Sequence, residues 1–223
     1  MMRTIRSFAR RSGRITISQK RALATLWPQY GIENGDKVLD LVEVFGRQAE
    51  KHLEIGFGMG DALVSMAKAH PEHDYLGIDV YHPGVGHLLM QIESNQLTNV
   101  RAVCADAMDV LQDSLPAHSW DAVYLFFPDP WPKKRHHKRR LIQPEFLNLL
   151  AKRMKSGSYL YLATDWQDYA QQMLQVLEAA PEFTNKMTAS HFAPRPPERP
   201  LTKFEQRGLR LGHSVWDLCY QRQ

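Results

Sequence analysis

The segment Phe126-Phe127-Pro128-Asp129-Pro130-Trp131-Pro132 runs directly into Lys133-Lys134-Arg135-His136-His137-Lys138-Arg139-Arg140. A carboxylate, an indole and three prolines therefore adjoin eight consecutive basic or imidazole side chains. A carboxylate can hold the donor edge of a base or offset a developing positive charge. Each proline fixes its own φ and biases the preceding residue toward extended geometry, so the loop presenting Asp129 is stiff. The basic run attracts a polyanion. Together these residue types point to chemistry on a nucleic-acid base. The plainer reading is a Pro-rich turn beside a solvated charged face or a localisation signal.

A second constellation lies upstream. His52-Leu53-Glu54-Ile55-Gly56-Phe57-Gly58-Met59-Gly60-Asp61 reads as a strand passing into a helix, with Gly56, Gly58 and Gly60 at alternate positions. Such glycines admit positive φ and let a ligand approach the backbone at the carboxyl end of a first strand. The spacing is not that of a dinucleotide site, which wants G-x-G-x-x-G, because Asp61 holds the sixth position. Glu54 would also repel a diphosphate, yet it suits a ligand carrying an ammonium and a sulfonium, as S-adenosyl-L-methionine does. Asp79, at the end of a second strand, can accept from both hydroxyls of a ribose diol. Asp106, just after a third strand, can accept from an adenine amino group. Carboxylates at three successive strand ends stand where open α/β sheets bind their ligands.

Charge is unevenly spread. The chain of 223 residues has a formal net charge of +4, but residues 1–32 and 133–140 hold 13 Lys or Arg and no acid. The remainder holds 15 basic and 24 acidic residues. A mildly acidic globule with two concentrated basic segments is suited to phosphate-backbone binding. No apolar run is long enough to span a bilayer, and no interfacial helix stands out, so no membrane partner is expected. The Arg- and Ser-rich start shares features with a transit peptide and lacks the apolar core of a secretory signal; the cytoplasm is the default. Cys104 and Cys219 read as buried core residues rather than a disulfide or a nucleophile. Ten histidines show no metal-ligand spacing, so no metal is expected.

These residues need a scaffold. Residues 1–30 form a basic N-terminal arm and a first helix, capped by Ser18 and stopped by Pro28 and Gly31. Residues 31–223 form one α/β domain. Strands are expected at His52–Ile55, Asp74–Val80, Val100–Cys104, Trp120–Phe127 and Ser158–Ala163. Helices are expected at Met59–His70, His82–Leu97, Ala107–Leu115, Pro144–Met154 and Trp166–Ala179. Strands alternating with helices in this way imply a parallel sheet. Beyond Pro181, Phe183–Ser190 and Ser214–Tyr220 read as a terminal strand pair, joined through a basic loop and a short helix near Phe204–Leu209. They are expected to form an antiparallel edge on a mostly parallel, seven-stranded sheet with helices on both faces.

Several short motifs in order resemble the bacterial tRNA (guanine-N7-)-methyltransferase family of the TrmB type. They are Arg6–Arg14, Glu54–Gly58, Pro83-Gly84-Val85-Gly86, Phe126–Arg140, Ala163-Thr164-Asp165-Trp166, Thr202–Gly208 and Leu211–Leu218. The resemblance implies a Rossmann-like, class I methyltransferase fold and methyl transfer from S-adenosyl-L-methionine to N7 of a guanine in tRNA, guanosine 46 of the variable loop. It places cofactor contacts on Glu54, Gly56, Gly58, Gly60, Asp79, Asp106 and Asp129, with Asp129 also catalytic. Substrate contacts fall on Lys133, Asp165, Thr202, Lys203, Phe204 and Glu205. RNA contacts fall on Lys134, Arg135, His136, Lys138, Arg139, Arg140, Arg10, Arg11 and Arg14. One departure is Asp79, where the family often has Glu. The partner is tRNA, with no obligatory protein partner and a monomeric or weakly dimeric chain.

Guanine N7 has a lone pair and no proton, so direct in-line transfer needs no general base, and positioning and electrostatics can supply catalysis. Asp129 would offset the charge arriving on guanine, Asp165 or Glu205 would accept from its N1–H and N2–H₂ donors, and Trp131 would stack on it. Each has a plainer rival: Asp165 as a helix N-cap, Glu205 in an ion pair, Trp131 packed beneath its loop, Thr202 as a cap. Two other functions stay open. One is an exocyclic N-methyltransferase, since Pro128-Asp129-Pro130-Trp131 partly resembles the Asp/Asn-Pro-Pro-aromatic loop of those enzymes. The other is a non-catalytic tRNA-binding protein.

Overall fold

The computed structural model describes residues 7–8, 13–35, 37–188, 191–196, 199–201, 205–206, 210, 212 and 214–223. The chain begins with helix α1 (Ile17–Thr25). Its cap is Thr16, not Ser18: the Thr16 hydroxyl accepts from Gln19 N at 3.2 Å, and Gln19 Oε1 accepts from Thr16 N at 2.9 Å. This reciprocal box satisfies two end groups at once, which a lone Ser18 could not. Pro28 does not stop α1 but sits in the first turn of a second helix, α2 (Trp27–Tyr30), where its missing N–H costs nothing.

Strand β1 (Gly31–Ile32) comes next, followed by α3 (Leu41–Phe45), which Asp40 caps through Val42 N and Glu43 N. The alternating core then runs β2 (Lys51–Ile55), α4 (Asp61–Ala69), β3 (Asp74–Ile78), α5 (His82–Ser94) and β4 (Val100–Val103). It continues α6 (Ala107–Asp113), β5 (Trp120–Phe126), α7 (Pro144–Arg153), β6 (Met154–Thr164) and α8 (Gln167–Glu178). The closing strands are β7 (Phe183–Asn185) and β8 (Trp216–Arg222). The terminal pair is shifted from expectation: the first strand is shorter and the second runs later. Of the expected helix near Phe204–Leu209, Glu205–Gln206 is helical; the rest lies outside the described residues.

Among the described residues the sheet has eight strands in the order β1-β4-β3-β2-β5-β6-β8-β7. The eighth strand is β1, a two-residue piece too short to carry a sequence pattern, paired parallel with Ala102 and Val103. From β1 to β6 the neighbours are parallel; β8 runs antiparallel to β6 and β7. Alternation sends Leu53 and Ile55 of β2 to a core under α3, α6, α7 and α8. His52 and Glu54 therefore face the other side, where α1, α4 and α5 pack. Gly86 is what lets α1 rest on α5, because a Cβ there would lie 2.9 Å from Gln19 Cβ. Cys104 and Cys219 form no disulfide and are half-buried rather than enclosed, and burial pushes the Cys104 pKa up to about 11.

Candidate active site

The carboxyl ends of β2, β3 and β4 are adjacent because these strands are neighbours, and the switch between β2 and β5 opens beside them. At the end of β2 the chain turns through Gly56, Gly58 and Gly60, with φ of +78°, +59° and +81°. All three lie in the left-handed region, which a side chain would strain. A Cβ on Gly56 or Gly58 would meet nothing within 4 Å, so the turn borders open space on the side where a ligand can lie against the backbone. The turn is braced from α5. At Gly84 a Cβ would fall 1.9 Å from Gly58 O, and a His87 ring nitrogen lies 2.8 Å from Met59 O. The Pro83-Gly84-Val85-Gly86 motif thus works through two close approaches, one to the glycine turn and one to α1.

Asp79 closes the turn from β3. Its Oδ2 accepts from Gly58 N at 2.7 Å and its Oδ1 from Tyr81 N at 2.9 Å. Each carboxylate oxygen offers two acceptor positions, so these bonds orient the group without exhausting it. Asp106 caps α6, accepting from Met108 N at 3.1 Å, which fixes it at the end of β4.

Glu54 is different. It is 2% exposed, and its Oε2 has no hydrogen-bond partner among the described residues. Burial, reinforced by the nearby Asp79 charge, raises its pKa to about 8. A buried carboxylate oxygen without a donor is costly unless a ligand supplies one. A bound ammonium would supply both the donor and the opposite charge. The site therefore fits the cofactor expected from the residue types: Glu54 for an ammonium, Asp79 for a diol, Asp106 for an amino group.

Asp129 sits in a loop held on several sides. Phe127 and Trp131 both have positive φ, +53° and +46°, a conformation that costs non-glycine residues energy and persists only where the surroundings impose it. Phe127 N donates to Ala163 O at 2.7 Å, extending the β5–β6 pairing one residue past the strand. The Arg199 guanidinium lies 5.7 Å from the Phe127 ring centre. Trp131 Nε1 donates to Ser7 O at 2.9 Å, and Arg139 stacks 4.9 Å over the indole. The indole is thus packed between the arm and the basic run, which favours the plainer reading over base stacking. Gly13 lies against the Tyr81 ring, two residues after Asp79.

The basic run forms a 3-10 helix, Lys134–Arg139, entered through Lys133. Lys133, Lys134, Arg135, Lys138 and Arg139 are exposed and His136 is half-exposed, as is fit for phosphates. Arg14 is exposed as well, while Arg10 and Arg11 lie outside the described residues. Arg140 departs from the expectation of an RNA contact. It is 2% exposed, donating from Nε to Pro130 O at 2.8 Å and from Nη2 to Asp168 Oδ2 at 2.6 Å, with its plane 4.8 Å over Tyr169. Enclosed in this way it cannot reach a phosphate; it braces the loop that carries Asp129. The same bond holds the Asp168 carboxyl below its usual range.

Asp165 stands half-buried between β6 and α8. It is not the helix cap, because Trp166 occupies that position and its N–H is taken by Thr164 Oγ1 at 3.2 Å. Thr202, Lys203 and Phe204 lie outside the described residues. Glu205 takes the ion-pair role: it is 3% exposed and binds Arg199 through two bonds of 2.5 and 2.7 Å. Arg199 Nε also lies 2.6 Å from Asp217 Oδ1, pinning the C-terminal loop to β8. Arg140 and Arg199 escaped the sequence reading as braces. A lone arginine in a basic run, or one in a loop, carries no mark of the acid it will meet.

Residues 48–218 match a protein family described as putative methyltransferase. The tRNA (guanine-N(7)-)-methyltransferase of Nitrosospira multiformis is 56% identical over 221 residues, covering 99% of this chain and 96% of that protein. The protein of the same name from Pseudomonas aeruginosa is 51% identical, covering 99% and 91%. Among solved structures, the 16S rRNA methyltransferase KamB superposes with a TM-score of 0.61 at 15% identity, covering 83% of this chain and 94% of that one. The aminoglycoside resistance methyltransferase NpmB1 gives 0.56 at 18%, covering 82% and 92%. At such identities the structural likeness speaks for the fold alone. The sequence likeness, sustained over essentially the whole chain, settles the family: this chain belongs to the tRNA (guanine-N(7)-)-methyltransferases.

Proposed function

We propose that the protein transfers a methyl group to N7 of a guanine in tRNA, guanosine 46 of the variable loop, with S-adenosyl-L-methionine as donor. The observation that carries this reading is the buried Glu54 oxygen without a donor among the described residues, set beside Asp79 at a glycine turn open to a ligand. The family's named members support the substrate. S-adenosyl-L-methionine would supply an electrophilic methyl on a sulfonium.

The chain's own residues then divide the work. Glu54 holds an ammonium in a site shielded from water. Asp79, oriented by Gly58 N and Tyr81 N, accepts from a ribose diol, and Asp106 accepts from an adenine amino group. Asp129, on its braced loop, faces the guanine and offsets the positive charge that N7 acquires. No residue has to remove a proton, because N7 carries none, so catalysis rests on alignment and fixed charge. Asp165 accepts from the guanine N1–H and N2–H₂ edge. Lys133, Lys134, Arg135, Lys138, Arg139 and Arg14 hold phosphates. Glu205 acts through Arg199, which also reaches Asp217 of β8 and the Phe127 ring beside Asp129. The reading extends to an enzyme acting on tRNA in the cytoplasm as a monomer or weak dimer, which the family of the named relatives supports.

The test is methyl transfer from labelled S-adenosyl-L-methionine to unmodified tRNA, followed by nucleoside analysis and mapping of the modified position. 7-Methylguanosine at position 46 is expected. Label on an exocyclic amine, or tRNA binding without transfer at saturating donor, would replace this reading with one of its two rivals.

A further inference from the structure

The sequence shows no metal-ligand spacing, yet the fold assembles such a set at the opposite end of the sheet. Glu50 enters β2, His52 is its second residue, and His73 enters β3. Parallel pairing places Lys51 opposite Asp74 and His52 opposite Tyr75, so the residues just before each strand lie side by side. Glu50 Oε2 is 3.6 Å from His52 Nε2 and 3.4 Å from His73 Nε2, and the three ligand atoms all lie within 4.8 Å of one another.

These separations have a physical reading. Around a tetrahedral ion with bonds of roughly 2.0–2.1 Å, neighbouring ligand atoms stand about 3.3–3.4 Å apart. Two imidazole nitrogens, each near that distance from a shared carboxylate oxygen, form the donor set of a borderline divalent ion such as zinc. The supporting partner is present too. His52 Nδ1 lies 3.0 Å from the Tyr124 hydroxyl, which fixes the ring and turns Nε2 toward Glu50. The two rings lie 4.5 Å apart, a placement that two imidazolium cations would resist. Glu50 is largely exposed, leaving an entry path and room for a water as fourth ligand.

We infer that Glu50, His52 and His73 form a binding site for a divalent transition-metal ion, zinc being the best match to the donors. The ion ties the segment entering β2 to the segment entering β3, the two strands whose far ends carry Glu54 and Asp79. A competing set, His70, Glu72 and His73, shares one ligand. It is the poorer candidate, because His70 Nδ1 and Glu72 Oε1 are already in hydrogen-bond contact at 3.0 Å.

Untagged protein, stripped with chelator and exchanged into chelator-free buffer, is titrated with zinc chloride by calorimetry and with cobalt chloride by visible absorption. One equivalent should bind, and the cobalt form should show the intense band of a four-coordinate ion. His73→Ala and Glu50→Gln should each weaken binding by more than the roughly 10–100-fold that loss of a supporting partner costs. Tyr124→Phe should fall within that smaller range, and His70→Ala should bind as wild type. Absence of binding at about 100 µM zinc, or binding unchanged in both His73→Ala and Glu50→Gln, overturns the inference. Loss in His70→Ala assigns the ion to the competing set and overturns it equally.

Discussion

The glycine turn and the proline loop flank the same end of the sheet, and they are built in opposite ways. The turn is assembled locally: Gly56 to Gly60, Asp79 and Tyr81 bond one another across β2 and β3, with Gly84 and His87 pressing in from the helix that follows. The proline loop is held from afar, by Ser7 through Trp131, by Asp168 and Gln172 through Arg140, and by Arg199 against Phe127. The turn leaves one buried carboxylate unpartnered, which is how a ligand site stores affinity. The loop leaves its backbone strained but its braces satisfied, which is how a carboxylate is kept in one place.

The comparison breaks first at Asp129. If the loop exists to present that group, Asp129→Asn should lower methyl transfer by about 10²–10³-fold, the usual loss of one fixed electrostatic contact, with tRNA and donor affinity little changed. Measured single-turnover rates at saturating substrates decide it; a proportionate loss of tRNA affinity would make Asp129 a binding group instead.

Arg140→Ala sharpens the contrast, since it touches only the braces. It should cost about 1–3 kcal/mol of stability and slow turnover by about a hundredfold through misplacement of the loop, while donor binding at the turn stays intact. Arg140→Lys should not restore the rate, because an ammonium cannot serve Pro130 O, Gln172 and Asp168 together. Thermal melts and donor titration separate the two effects.

Glu54 tests the turn through pH. Its folded pKa is raised to about 8, from about 4.5 in the unfolded chain, so the folded state holds the extra proton. Stability from this group is full below pH 4.5 and is lost as pH rises toward 8. Glu54→Gln should accordingly raise the melting temperature of the ligand-free protein above pH 8, by a stability gain of about 2–4 kcal/mol. In wild type, binding of an ammonium ligand should release close to one proton at pH 7, seen as a buffer-dependent heat, and its affinity should climb about tenfold per pH unit below 8. The Gln variant should show neither effect.

The smallest effects belong to the exposed basic helix. Lys134→Ala, Arg135→Ala and Lys138→Ala should each weaken tRNA binding a few-fold and flatten the salt dependence by about 0.7–0.9 in log–log slope. Donor binding should not change, as filter binding at several salt concentrations would verify.

How much of this was legible in the chain follows the same division. The strands from Lys51 onward, the glycine turn and the carboxylates at strand ends were readable, because each depends on residues within one βα unit. Thr16 was missed for Ser18 because a capping box needs its Gln19 partner to be noticed, and β1 was missed because two residues carry no period. Arg140 reads as one cation in a run of eight, and only the packing of α8 against the loop, bringing Asp168 and Tyr169, removes it from the surface. Glu205 reads as a substrate acceptor until Arg199 closes on it.

Side-chain alternation, glycine placement and short-range capping are properties of neighbouring residues, and so the chain by itself determined a mostly parallel sheet with acids at its carboxyl ends and two basic segments. Which side chains of separate elements meet is decided by strand order and helix docking. Only the tertiary structure could therefore turn Arg140 inward onto Asp168, join Arg199 to Asp217 of β8, and bring the ligand atoms of Glu50, His52 and His73 within 4.8 Å of one another.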